Sequence, residues 1–393
     1  NIGGDNWTIH NTQFLLADLT GLSLSGRDHI LQENTFLLNG LSGLLVSGLQ
    51  QETDNTSSDP QGIQLSINET SLNNARGFHY SINPSGLTIT GQGNAIGIDS
   101  HLAWQNEMYG IIVDSNCQDI AIDQSFFADN IISVYCKECS GVSLQNSIFS
   151  TSIYGLGLDS LSSSHFSFNT LHSNYYGMLI TSSLGYEGGN SALQVLNNLF
   201  NNNSMLDIGI YDQQFISDTN SVDYNAYARD GQDMYALWVD FLGLPQMTTQ
   251  LSTFQEQTGL EGHAVLSPAL WTEEEYAFIP GERSAIVDQG QFTDLSLPVD
   301  FYGLERPWGS GPDIGAVEYR PDLAVEPLEL RLFEDECRLC ADEFRAVVPR
   351  EFDEGTVYQL KVAVRVEHVQ PVFGLFDQIL VVGRVGVARP DID

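Results

Sequence analysis

The sequence predicts an all-β chain: a right-handed parallel β-helix over residues 1–320, then a small β-sandwich-like module over residues 321–393. Three observations carry this. Matching positions recur about every 22 residues between Gly110 and Asn203. The apolar residues inside each unit alternate with period 2, as in Ile120 and Ile122, Val142 and Leu144, Phe166 and Phe168, Leu193 and Val195. Asn, Ser, Asp and Gly fill the gaps between them and turn the chain. A fixed period of this length marks a solenoid, whose units bury their apolar faces only by stacking. Alternation makes the stacked elements strands rather than helices.

The elements follow in order. WTIHNTQFLLADLTGLSLSG, ENTFLLNGLSGLLVSG, QGIQLSINETSLNNA and GLTITGQGNAIGI read as early coil strands, and Gln50–Pro60 as an exposed polar loop. The clearest coils run from Gly110, with Gly155 and Gly177, and Cys117 and Cys139, each one period apart. Gln124, Asn146, Asn169 and Asn197 fall in one column, which predicts an internal ladder of amides bonding from coil to coil; turn residues facing solvent are the alternative.

Five cysteines, Cys117, Cys136, Cys139, Cys337 and Cys340, include two C-x-x-C pairs about 200 residues apart. Cys117 and Cys139 belong to one column, so adjacent coils bring them about 5 Å apart. An inter-coil disulfide or two stacked thiols both satisfy that spacing. Cys337 and Cys340 are candidates for a local disulfide, and Cys136 is left as a thiol.

Only two of 393 residues are Lys, and the formal net charge is −36. Such a surface repels nucleic acid and anionic membranes. An apolar fraction of 42% supports a packed core. No signal peptide or transmembrane run is present, and the first residue is Asn. This fits an extracellular or cell-surface protein whose signal peptide has been removed. N-x-S/T sequons stand at Asn6, Asn55, Asn68 and Asn202.

From Ser221 the text changes. Asp223–Tyr227 reads D-Y-N-x-Y. Phe254–His263 follows, then Ser267–Leu270, Ser284–Gly290, Asp300–Pro307 and the closing D-I-G-A-x-E-Y at Asp313–Tyr319. This succession resembles the C-terminal half of secreted bacterial right-handed parallel β-helix proteins, in which the closing motif often precedes a surface-anchoring segment. Ala285 stands where that family has Pro, and Ser267-Pro268 where it has Asp-Pro. The resemblance covers roughly 100 residues. It implies a family of polysaccharide lyases, hydrolases and adhesin-like proteins, and fold alone does not choose among them.

The residues do not supply the chemistry of the enzymes. A lyase needs a base, and a cation to neutralise the uronate carboxylate. Up to Arg320 the basic residues are Arg27, Arg76, Lys137, Arg229, Arg283, Arg306 and Arg320. The N-T-D, D-D, G-H-G and R-I-K motifs of polygalacturonase-like hydrolases are absent. Lys137 with His165 or His172, on successive coils, is the alternative catalytic set. Asp288, Asp300 and Asp313 are expected to cap turns; as a metal set they would take calcium. Arg306 is expected to pair with one of the closing acids. No other cofactor is implied.

Beyond Tyr319, RPDLAVEPLEL reads as a linker, and GTVYQLKVAVRVEHV and FDQILVVGRVGVA as strands. Eight of the fifteen basic residues lie in 321–393. Residues 321–393 are therefore the expected self-association module, meeting the acidic solenoid of another copy. The functional expectation is an extracellular structural or adhesive protein without catalysis, self-associating into fibres. Extracellular polysaccharide is a second partner. The alternative is a polysaccharide lyase or glycoside hydrolase.

Overall fold

A computed structural model describes residues 117–320, except 184–188, 218, 230–232, 241, 267–277 and 293–298. Before residue 117 it describes the strands and a few neighbouring residues, and beyond residue 320 two strands, Lys361–Arg365 and Leu380–Arg384. The chain divides into two compact units, Asn1–Leu328 and Glu329–Asp393.

The first unit is a parallel β-helix. Each coil contributes one strand to each of three sheets, and equivalent strands of successive coils pair in parallel. In the first sheet Tyr109–Asp114, Ile132–Lys137, Tyr154–Asp159, Tyr176–Thr181 and Leu206–Tyr211 are consecutive neighbours. The second includes Gln118–Asp123, Ser143–Gln145, His165–Ser167, Gln194–Leu196 and Ser221–Asp223. The third includes Phe126–Ala128, Ile148–Ser150, Thr170–His172, Leu199–Asn201 and Ala226–Ala228. Period 2 sends alternate side chains into the lumen. Val134, Leu156, Leu158 and Met178 from the first sheet meet Ile122, Leu144 and Phe166 from the second and Phe149, Leu171 and Phe200 from the third in one buried core. Rings stack from coil to coil, Phe127 on Phe149 at 5.0 Å and Phe200 on Tyr227 at 5.2 Å.

An internal ladder is present one residue away from the expected column. Its rungs are Ser125, Ser147, Asn169, Asn198 and Asn225. Each side-chain oxygen accepts from the backbone N–H of the preceding rung, and Asn169 and Asn198 donate onward to Asn198 Oδ1 and Asn225 Oδ1. Of the expected column only Asn169 is a rung. Gln124, Asn146 and Asn197 lie just before it in the left-handed region, with φ of 46°, 44° and 58°. Asn tolerates that conformation better than most residues, so amides occupy both columns and the sequence does not separate them. Phe168, with φ 55°, holds the same place in its coil. It therefore faces the guanidinium of Arg306, 4.5 Å from the ring, rather than the lumen.

A second ladder runs through Asn106, Asn130, Ser152, Asn174 and Asn203. Asn169, Asn198, Asn225, Asn174 and Asn203 each donate one amide N–H back to a carbonyl of the preceding coil and turn the other towards the next coil, so the last Asn is left with one donor to place. A carboxylate, which only accepts, terminates each: Asn225 donates to Glu261, and Asn203 to Asp207.

The coils were expected to continue to Tyr319. They end instead at Val265–Leu266, which pairs in parallel with Ala226–Ala228. A helix, Leu251–Thr258, that period-2 reading did not foresee buries Leu251, Phe254 and Thr258 and stops at Gly259 with φ 71°. The described residues between 278 and 320 then lie back along the coils. The left-handed amides hold them there: Gln124 donates to Asp300 O, Asn146 to Val299 O and Asn197 to Gln291 O. Arg306, nearly fully buried, donates to the carbonyls of Asp313, Gly315 and Ala316 and pairs with Glu318 at 3.0 Å, as a buried charge requires.

In the second unit, Lys361–Arg365 and Leu380–Arg384 form an antiparallel pair. The rest of the expected module at 321–393, including Cys337 and Cys340, lies outside the described residues.

Candidate functional site

The outer face of the first sheet gathers aromatic side chains that the core does not use. Its strands put Tyr109, Ile132, Tyr154, Tyr176 and Leu206 in one column, Ile112, Tyr135, Gly157, Leu179 and Gly209 in another, and Asp114, Lys137, Asp159, Thr181 and Tyr211 in a third. Residues just before the strands, Ile131, Ile153, Tyr175 and Met205, form a further row linked by backbone hydrogen bonds to the next coil. The rings interlock. Tyr109 stacks on Tyr135 at 5.9 Å, Tyr154 on Tyr176 at 4.8 Å, and Tyr175 meets Tyr176 edge-on at 4.7 Å. Tyr135 lies across the next coil, where a Cβ on Gly157 would come within 2.8 Å of its ring, so only glycine fits under it. Tyr175 and Tyr211 remain 46% and 42% exposed.

The polar groups of this face are mutually engaged. Asp159 accepts from Tyr135 Oη at 3.0 Å, Ser183 Oγ at 2.8 Å and Ser160 Oγ at 2.9 Å. Burial, and then the Asp159 carboxylate, pushes the Tyr135 phenol up. Lys137, in register between Asp114 and Asp159, pairs with Glu138 at 3.5 Å. Burial and the neighbouring phenols of Tyr175, Tyr154 and Tyr211 raise the Tyr176 phenol.

The alternative catalytic set does not assemble. Lys137 is on the first sheet, His165 on the second and His172 on the third. His165 shares a hydrogen bond with Ser143 Oγ at 2.6 Å, and burial lowers its pKa. His172 contacts Asn201 and Ser173, lies edge-on to Phe278, and is lowered to about 4 by burial. Successive coils place residues near one another only within one column, and these three occupy different columns.

The acids proposed for a metal are occupied by backbone N–H groups. Asp300 accepts from Tyr302, Leu304 and Glu318; Asp313 accepts from Asp288 and Tyr319; Asp288 accepts from Gly311. They cap the turns of the closing segment and leave no convergent oxygen set for calcium. The Cys117–Cys139 disulfide is also not formed. The two residues flank the bridge between Gln118 and Ser140, but both are buried thiols. Cys139 Sγ donates to Lys137 O at 2.9 Å and Cys117 Sγ to Asp114 O at 3.5 Å, and the two thiols also contact each other.

The tyrosine face was missed because each ring lies in a different unit and only the strand register unites them. The recurring Y-G at Tyr109, Tyr154 and Tyr176 was the available signal.

A parallel β-helix carrying an aromatic outer face, without a converged catalytic set among the described residues, is the class that this geometry defines. The profile of the family described as "Periplasmic copper-binding protein (NosD)" matches residues 20–229, more than half of the sequence, and the chain belongs to that family. No curated protein sequence matches the chain. Among solved structures it is similar to pectate lyase Pel9A, at 12% identity and TM-score 0.48 over 77% of this chain and 73% of that one. It is also similar to the periplasmic alginate epimerase AlgG, at 12% identity and TM-score 0.39 over 67% of this chain and 50% of that one. PfbA, a surface adhesin of Streptococcus pneumoniae, is similar at 8% identity and TM-score 0.32, over 60% and 59% of the two chains. The chain thus spans half the length of the epimerase. Among the described residues no helix is long and apolar enough to cross a membrane.

Proposed function

We propose that this chain is a structural and adhesive β-helix protein of the extracytoplasmic space. It holds a polymer without cleaving it, through the tyrosine-lined face of the first sheet. The observation that carries this reading is the separation of Lys137, His165 and His172 onto three sheets, set against the gathering of tyrosines on one. A developing negative charge on a uronate needs a positive group at the reacting carbon. On this face the cation, Lys137, is already paired with Glu138 and lies in register between two aspartates. Self-association through residues 321–393 belongs to the same reading, since eight of the fifteen basic residues lie there while residues 1–320 carry 36 acidic residues against seven basic ones.

Copper, which the family's description names, does not fit the described residues. No group of three or more His, Cys, Asp or Glu among them is placed to hold a metal ion. The softest donors, Cys136 and Cys139, keep their protons. Burial raises Cys136, and contact with Cys117 followed by burial raises Cys139, whereas a metal takes thiolates.

The test incubates the protein with alginate, pectate, chondroitin and neutral glycans in calcium. No unsaturated product and no new reducing end is expected. Product that disappears in Lys137→Ala overturns the non-catalytic reading. Deletion of residues 321–393 is expected to weaken self-association in sedimentation, with a salt dependence in the full chain. Equal assembly of both chains removes the tail as the contact.

A further inference from the structure

Three tyrosines meet on two neighbouring coils: Tyr154 and Tyr176 stack face to face, and Tyr175 stands perpendicular to Tyr176. Tyr211 lies on the next coil, at the far end of its strand and in register with Thr181. Beside them Met205 is 43% exposed and Ile131 38%. The lumen is filled without these side chains, and the rings of Tyr175 and Tyr211 remain in solvent. A contiguous exposed aromatic patch on a soluble face marks a surface that something covers.

The chemistry of the patch narrows the occupant. Flat rings carrying hydroxyls present an apolar face and a polar rim. A pyranose ring is complementary: its axial C–H groups form an apolar face, and its hydroxyls point outward at the edge.

The charges decide the class of sugar. The column that holds Tyr211 carries Asp114, Lys137 and Asp159, and Glu138 follows Lys137 in the chain. Asp159 accepts three hydrogen bonds from hydroxyls, and Lys137 is committed to Glu138. A uronate or sulfate would bring its charge against carboxylates with the local cation already paired. An uncharged sugar meets no such cost, and finds hydroxyls as partners.

We propose that the outer face of the first sheet binds an uncharged polysaccharide against the exposed rings of Tyr175 and Tyr211. This rests on the reading of that face as a non-catalytic binding surface, and adds the class of ligand.

The experiment is affinity electrophoresis of the full chain through gels containing xylan, glucomannan or hydroxyethylcellulose, with alginate and pectate as the charged arms. Retardation by at least one neutral glycan, and none by alginate or pectate, is expected. Tyr175→Ala with Tyr211→Ala truncates the two exposed rings and spares the core, and circular dichroism melts confirm folding. Affinity is expected to fall roughly tenfold or more for this pair, as for central aromatic contacts. Tyr224→Ala, in the corner after the second-sheet strand Ser221–Asp223, should leave retardation unchanged. Retardation by alginate or pectate alone overturns the ligand class while leaving a binding face intact. No retardation in any gel, or equal retardation of the double variant, overturns the site. Loss of self-association in the double variant, without a change in glycan retardation, assigns the patch to a second copy and also overturns it. Cleavage of a retained glycan counts against the non-catalytic reading and leaves the ligand class standing.

Discussion

Glu261 ends the amide ladder, and its ionisation should make the solenoid weaken as pH rises. Its Oε1 accepts from Tyr227 Oη at 2.5 Å and Asn225 Nδ2 at 2.9 Å, while Oε2 is buried without a partner. Burial pushes the carboxyl from 4.5 to about 7, against the hydrogen bonds from Tyr227 and Asn225, which pull it down. The folded chain therefore keeps this proton where the unfolded chain has lost it. The contribution is full below the unfolded value of 4.5 and is lost as pH climbs through about 7. At about 1.36 kcal/mol per pH unit, the loss approaches ~3 kcal/mol. Glu261→Gln keeps a carbonyl acceptor for both donors and removes the titration. Urea unfolding followed by circular dichroism at pH 5, 6, 7 and 8 gives the comparison. Asp207 and Asp313, raised to about 6 and 7, titrate in both proteins, so the difference between the two curves isolates Glu261. The variant should gain on the wild type by ~3 kcal/mol between pH 5 and 8. Parallel curves would show that Glu261 is ionised throughout and that the reasoning from burial is wrong.

Further outcomes follow from the same geometry. Asn169→Ala strands the Ser147 N–H and the Leu144 carbonyl, and should cost about 2–4 kcal/mol in urea unfolding. Asn146→Ala, which loses a bond to Val299 O in the closing segment, should cost about 1 kcal/mol. A reversed order would restore the expected ladder column. Arg306→Met leaves Glu318 buried without its cation, and about 3–5 kcal/mol should be lost at pH 8. Arg306→Met with Glu318→Gln should recover part of it, and a pair no better than the single variant refutes the ion-pair argument. Cys117, Cys136 and Cys139, being buried thiols, should resist iodoacetamide in the native protein and react once it is unfolded; a mass showing a Cys117–Cys139 disulfide contradicts the thiol assignment.

The coils were legible because two signals agree. Strand period and repeat period both follow from the geometry of a stacked coil, and the lumen residues Ile120, Ile122, Val142, Leu144, Phe166, Leu193 and Val195 are all buried as read. Phe168 shows where this stops. It continues the alternation in sequence, yet its left-handed backbone turns it out of the lumen and under Arg306. The partner that rewards this turn is about 140 residues away in the chain, so no local pattern announces it. The closing motifs were visible as words, but not as a strap laid back along the coils. Their acids looked like ligands because capping and metal binding draw on the same residue types.

The one-residue slip of the ladder carries a physical consequence. A side chain in the ladder column satisfies turn N–H groups inside the coil stack, whereas one in the preceding column points away from it. In this chain both columns are rich in amides, and the two sets have separate tasks. Asn169, Asn198 and Asn225 hold coil to coil, while Gln124, Asn146 and Asn197 hold the closing segment to the coils. The side of the solenoid near the second and third sheets is thereby covered: Phe126 and His172 meet Phe278, and Thr170 Oγ1 accepts from Ala316 N. The first sheet's outer face keeps Tyr175 and Tyr211 in solvent. Among the described residues the closing segment thus shields one flank and leaves Tyr175 and Tyr211 on another. That asymmetry supports the proposed binding surface more strongly than any residue type in the sequence does.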